Sequence, residues 1–218
     1  DGDTGYGNAV NVKRTVHGYA KAGFAGILIE DQIAPKACGH TKDRRVVTRQ
    51  EAVSRVRAAV DARDEGAGIL IAARSDARAA ESLDEAIWRA QAFADEGADI
   101  IFIDALRSRE EMRAFCRAVP DVPKMANMLE GGGKTPLLPL EELEDMGFKI
   151  VAYPLSLLGV SVRAMELALQ TIKGGDVPAP PTLPTFAELG EVLGFYAYYD
   201  ESDRYTIDLP STPPPSPS

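Results

Sequence analysis

Gly26–Glu30 reads GILIE: a small residue, three branched aliphatic ones and then a carboxylate. With apolar side chains on both faces, such a run suits a parallel strand covered by helices on either side. Packing gives no reason for the acid at its end. Four further runs repeat the form, at residues 69–73 (ILIAA), 99–103 (DIIFI), 123–127 (PKMAN) and 149–153 (KIVAY). Polar chemistry stands at one strand end after another: Asp1 and Asp3 at the start of the chain, Glu30, Arg74 with Asp76, Asp104 and Asn127.

Helical signals fill the intervals. Thr48, Ser82 and Ser108 are each followed three residues later by a glutamate (Glu51, Glu85, Glu111), the pattern of a capping box. A first helix over residues 8–22 places Val12, Val16, Tyr19 and Ala20 on one face; a later one over 157–172 does the same with Val162, Met165 and Leu169. Alternating strands and helices leave two architectures, a doubly wound sheet or a (β/α)8 barrel. The doubly wound sheet normally carries G-x-G-x-x-G after its opening strand, and that motif is missing. A barrel gathers its active site at the C-terminal ends of its strands, where these polar residues stand. The expected fold is therefore α/β, a (β/α)8 TIM-type barrel. With the 1–3 tip counted as a strand end there are six, so the barrel reads as N-terminally incomplete by about two βα units.

From Gly174 the composition shifts. Pro178, Pro180, Pro181 and Pro184 make a stiff link to a C-terminal helical extension over 186–199, with Leu189, Val192 and Leu193 on one face. The domain reading is a partial catalytic barrel over 1–175, a linker and helical extension over 176–209, and a Pro/Ser-rich tail over 210–218 expected to be disordered.

The chain's 218 residues suffice for one large α/β domain, and 45% hydrophobic with 26% charged content is ordinary for a globular protein. A net charge of −9 argues against a general binder of nucleic-acid backbone, whereas small anionic substrates respond to local arginines. The two cysteines, Cys38 and Cys116, differ too much in setting for a disulfide framework, which points to a reducing compartment. No run is apolar over a membrane-spanning length, so a soluble protein with neither membrane nor nucleic-acid partners is expected. Cytoplasm and chloroplast are the candidate locations, with any transit peptide in the missing N-terminal part.

Asp1, Asp3 and Glu30 offer oxygen ligands for a hard cation such as Mg²⁺, provided the first segment is extended so that Asp1 and Asp3 point the same way. The alternative is an Asp/Gly-rich turn. An EF-hand is excluded, because Gly5, Tyr6 and Val12 stand where Asp or Asn, Gly and Glu are needed. Cys38, between Lys36 and His40, is placed for a thiol tuned by neighbouring positive charge. Arg74 reads either as a salt bridge to Asp76 or as a planar clamp for a substrate carboxylate. The GGGKT run at 131–135 fails as a phosphate loop, since Met128 stands where glycine is required and Pro136 follows, and reads as a flexible active-site loop. Cys116 reads as core and His17 as a surface or packing residue.

In order and spacing, DGDTGYGN, GFAGILIEDQ, PKACGH, AARSDA, ADIIFIDA, NMLEGGGKTP and YPLS resemble the isocitrate lyase/phosphoenolpyruvate mutase superfamily over nearly all of residues 1–200. The resemblance is nearest to its branch of petal death protein and carboxyvinyl-carboxyphosphonate phosphorylmutase-like proteins. It implies a barrel that binds Mg²⁺, with Mn²⁺ as the alternative, and a small dicarboxylate handled through an enolate-like intermediate. By position it implies Asp1, Asp3 and Glu30 at the metal, and Cys38, with Lys36 and His40, as catalytic residues on a mobile loop. It also implies Gly39, Arg74, Asp104 and Asn127 at the substrate, and a homotetramer that exchanges a C-terminal helix. Departures are Ser75 in place of the usual Thr, Asp104 in place of Glu, and the absence of an upstream Ser-containing carboxylate cradle and a further metal-site acid. The activity implied is carbon–carbon lysis of 2-substituted malates or hydrolysis of oxaloacetate, impaired in so short a chain. The alternatives are a phosphonate mutase, against which Cys38 argues, and a catalytically dead interaction module.

Overall fold

The computed structural model describes residues 1–36, 44–180 and 182–207; Cys38, Gly39, His40 and the 210–218 tail lie outside them. Five strands form one sheet: β1 (Gly26–Glu30), β2 (Leu70–Ser75), β3 (Ile100–Ile103), β4 (Lys124–Asn127) and β5 (Phe148–Ala152). Their order in space is their order in the chain, and every neighbouring pair is parallel. A doubly wound sheet reverses its strand order at a switch point, whereas a barrel does not, so the sequential order is that of a (β/α) barrel followed over part of its circumference.

Helices cover the sheet because each interval carries its own start signal and apolar stripe. In chain order they are α1 (Ala9–Lys21), α2 (Arg49–Ala62), α3 (Ala77–Ala80), α4 (Leu83–Asp95), α5 (Arg109–Ala118), α6 (Leu140–Met146), α7 (Ser156–Lys173), α8 (Phe186–Val192) and α9 (Phe195–Asp203). Asn8 caps α1 by accepting from the N–H groups of Val10 and Asn11, and Val12 and Val16 of that helix are fully buried. Thr48, Ser82 and Ser108 cap α2, α4 and α5 as their spacing suggests. Their partner glutamates, however, turn to arginines: Glu51 to Arg55, Glu85 to Arg49 and Arg89, Glu111 to Arg78. A guanidinium fork offers a carboxylate two charge-assisted bonds, which outcompete one backbone N–H. The reciprocal capping box occurs instead at Thr185 and Glu188, at the start of α8.

The core lies between sheet and helices, with Ile27 and Ile29 of β1, Ile71 and Ala73 of β2, Ile101 and Ile103 of β3, and Phe93, Met112 and Phe115 from α4 and α5. Burying each large side chain contributes about 1.5–3 kcal/mol. Cys116 is buried there, and burial pushes its thiol up to about 11.

On the apolar face of α7, Val162, Met165 and Leu169 are exposed. Periodicity shows which face is apolar but not what packs on it. The chain divides into two compact units, Asp1–Leu158 and Gly159–Ser218. The helical extension over 186–199 holds two helices, because Gly194 at φ +77° takes a left-handed turn that ends α8 and starts α9. Among the described residues, no helix is long and apolar enough to cross a membrane.

Candidate active site

All five strands deliver their C-terminal ends to one edge, and in register Glu30 of β1 stands beside Arg74 of β2. The first residues of the chain dock on the outer edge of β1 as a short strand stub. Gly2 donates its N–H to Leu28 O at 2.8 Å, and Glu30 donates its N–H to Asp3 O at 2.9 Å. Glycine is needed for this approach, since a Cβ at position 2 would lie 2.7 Å from Ile27 Cδ1 and 2.8 Å from Ile29 Cδ1. Asp3 then takes a left-handed turn at φ 49°, so extended geometry is not what aligns it with Asp1. The two acids converge on the Lys36 ammonium instead. Lys36 Nζ lies 3.0 Å from Asp1 Oδ2, pairs with Asp3 Oδ1, and stands 3.8 Å from Glu30 Oε1. The Lys36 hydrogen bond holds Asp3 below the usual carboxylate range, helped by the Tyr6 hydroxyl at 2.8 Å.

Glu30 is the anomaly of this group. Its carboxylate is wholly buried, yet neither oxygen receives a hydrogen bond from any described residue. Its contacts are longer ion pairs, to Lys36 and, at 3.4 Å, to Arg74 Nε. Burial pushes Glu30 above the usual carboxylate range despite the pull of Arg74. A buried carboxylate with two unused oxygens, next to two further acids already gathered round a cation, fits a hard divalent ion by donor type. In the present arrangement no three acids, histidines or cysteines among the described residues stand close enough to hold one. Lys36 occupies the middle of the group.

The neighbouring half is organised around guanidiniums. Arg74 reaches Asp76 through Nη2 (2.9 Å) and Nε (3.0 Å), and Asp104 through Nη2 at 3.0 Å. Arg44 joins the same two acids, at 2.6 Å from Asp104 Oδ2. Burial pushes Asp104 up, but Arg74 and Arg44 outweigh it and hold the carboxyl below its usual range. Arg44 arrives because the chain returns antiparallel along the end of β1: Gln32 bridges Val46, and Ile33 and Val47 donate N–H groups to Arg45 O and Asp31 O, each at 2.9 Å. Behind Asp76, buried Asp31 accepts from Ser75 Oγ (2.7 Å), the Asp76 N–H (2.9 Å) and Arg89 (3.1 Å). Burial raises Asp31's pKa against these bonds.

Asp1, Asp3, Glu30 and Lys36 thus meet at one point, and Glu30, Arg74 and Asp104 form the adjoining cluster. Asn127 ends β4 on the same edge, but no hydrogen bond among the described residues joins it to Arg74 or Asp104. The loop after β4 is tethered by Glu130, which accepts from the Leu155 N–H at 3.0 Å and from the Ser156 hydroxyl after β5. Sequence reasoning missed Arg44, Asp31 and Arg89. Asp31, next to Glu30 in GILIED, was the one signal in plain view.

The model of the family described as phosphoenolpyruvate phosphomutase matches residues 1–173. A 2,3-dimethylmalate lyase of Eubacterium barkeri is 44% identical over 207 residues, covering 94% of this chain and 71% of the lyase. A 2-methylisocitrate lyase of Aeropyrum pernix is 42% identical over 200 residues, covering 91% of this chain and 63% of that protein. The solved structure of oxaloacetate acetylhydrolase in complex with the inhibitor 3,3-difluorooxalacetate superposes with a TM-score of 0.85 at 35% identity, covering 93% of this chain and 68% of that one. Its run of sequential parallel strands, its polar strand ends and these matches along its length together show that the chain belongs to the phosphoenolpyruvate mutase/isocitrate lyase superfamily, whose fold is of the TIM-barrel type.

Proposed function

We propose that this chain carries the active site of a Mg²⁺-dependent carbon–carbon lyase that cleaves a 2-substituted malate, or hydrolyses oxaloacetate, through an enolate-like intermediate. The observation that carries the reading is the juxtaposition across 3.4 Å of a cation-seeking acid, Glu30, and a guanidinium, Arg74. A 2-hydroxy or 2-oxo dicarboxylate needs both kinds of partner side by side. Asp1, Asp3 and Glu30 would hold the Mg²⁺, which when bound supplies Lewis-acid polarisation of the substrate's 2-oxygen. Arg74 and Arg44 receive and orient a substrate carboxylate through their planar forks, while Asp76 and Asp104 fix both guanidiniums. Asn127 adds a polar contact from the end of β4. Cys38, with Lys36, Gly39 and His40 as its setting, gives its thiol proton to the carbanionic carbon of the enolate-like product.

Lyase chemistry is favoured over phosphonate mutase chemistry by the 44% and 42% identities to a 2,3-dimethylmalate lyase and a 2-methylisocitrate lyase. The mutase alternative has the description of the matching family on its side. Release of a 2-oxo acid from a panel of 2-substituted malates, or loss of oxaloacetate, with and without chelator, separates them. Chelator-sensitive cleavage is expected. Formation of phosphonopyruvate from phosphoenolpyruvate without malate cleavage would hand the site to the mutase reading. We also assign the uncovered apolar residues of α7, among them Leu157, Met165 and Leu169, to contact between copies in a homo-oligomer, a tetramer by resemblance. Sedimentation of a Met165→Glu variant as a smaller species checks that assignment.

A further inference from the structure

Three carboxylates crowd one point at the edge of β1, and the positive charge among them belongs to the protein itself. Lys36 Nζ reaches Asp1 and Asp3 at ion-pair distance, but stands 3.8 Å from Glu30 Oε1, too far for a hydrogen bond. One ammonium therefore serves three acids and leaves the most buried of them, Glu30, without a donor on either oxygen. Arg74 Nε, 3.4 Å from Glu30 Oε2, adds a second positive charge, but it is already shared with Asp76 and Asp104, so the group's three negative charges stay under-compensated, and a buried acid left in this state is costly. The contrast with Asp76 is direct, since both oxygens of that carboxylate accept charge-assisted bonds from Arg74. Lys36 itself is one-third exposed on a side chain with four flexible bonds, so it can withdraw to water at little cost.

We infer that Lys36 is a built-in competitor cation, which a divalent ion must displace from Asp1, Asp3 and Glu30 in order to bind. Metal binding and the position of the Lys36 side chain are then one coupled equilibrium. The metal's apparent affinity is lowered by the fraction of molecules in which the ammonium holds the site, and its arrival frees Lys36 for other contacts. This rests on the metal reading of the three acids and adds to it a specific cost and a specific movement.

The test is Mn²⁺ titration of the chain, read from the electron paramagnetic resonance signal of the free ion. Four proteins are compared: wild type, Lys36→Met, Lys36→Arg, and Lys21→Met on the exposed last turn of α1 as a control for lost charge. Lys36→Met should bind Mn²⁺ at least about fivefold more tightly than wild type, with Lys36→Arg and Lys21→Met within about twofold. In wild type, acylation of the Lys36 amine, followed by mass spectrometry, should speed up several-fold when Mn²⁺ is added. Wild-type binding with an unchanged or weaker Lys36→Met, or with no gain in Lys36 acylation, overturns the competitor role and leaves the metal reading standing. No Mn²⁺ binding by any of the four overturns both.

Discussion

Two halves of one strand edge, less than 4 Å apart at Glu30 and Arg74, are built on opposite plans. Around Arg74 and Arg44 every charge has a partner: Asp76 and Asp104 each accept from both guanidiniums, and Asp31 locks Asp76 from behind. Around Lys36 one mobile ammonium is spread over three acids and Glu30 is left short. The difference teaches what each half is for. A buried network in which each charge faces its opposite holds its shape without ligand and acts as a fixed cradle, whereas an under-coordinated one awaits a better cation.

The comparison breaks most visibly at Arg74. Replacing it by methionine leaves Asp76 and Asp104 to share Arg44 alone, and breaking a buried pair of this kind costs about 3–5 kcal/mol. Chemical denaturation should show that loss, with turnover falling alongside. A variant as stable as wild type would mean that the arginine half is not the rigid one.

A functional contrast comes from the two cysteines. Cys38→Ser should lower turnover by about 10²-fold or more, because a hydroxyl is a far poorer proton donor, while Mn²⁺ binding persists. Cys116→Ser, on the buried face of α5, should leave turnover as it is. Equal activity in Cys38→Ser and wild type removes the acid role.

A smaller effect, readable by thermal melts without metal, comes from pH. Glu30's pKa in the fold lies above its ordinary 4.5, so its contribution to stability is complete below that value and is lost as pH rises through the folded one. Asp104 runs the other way: held below its ordinary 3.8, it contributes above that pH and the contribution is lost as pH falls through the folded value. Wild type should therefore lose stability relative to Glu30→Gln as pH rises above 4.5. The penalty of Asp104→Asn should shrink only below 3.8. The same pH trend for both variants would erase the distinction between the halves.

Much of this was legible in the chain. Strand β1 occupies the residues that GILIE marks, and Glu30, Arg74, Asp104 and Asn127 stand at strand ends because strand residues carry that information locally. Arg44 was not legible. It enters through an antiparallel return past Gln32 and Val46, and no periodicity in the sequence records that pairing. Arg89 was hidden for a similar reason, since its helical position looks like surface until Asp31 is known to lie under it. The aligned pair Asp1 and Asp3 was expected for the wrong reason: Lys36, rather than an extended backbone, brings them together.

The most direct test of the division of labour is a paired measurement on Glu30→Gln and wild type: Mn²⁺ affinity by titration and fold by circular dichroism. The expected result is an intact fold in both, with Mn²⁺ affinity in Glu30→Gln reduced at least about tenfold by loss of a buried ligand charge. Equal affinity in the two proteins would contradict the assignment of the acidic half to the metal.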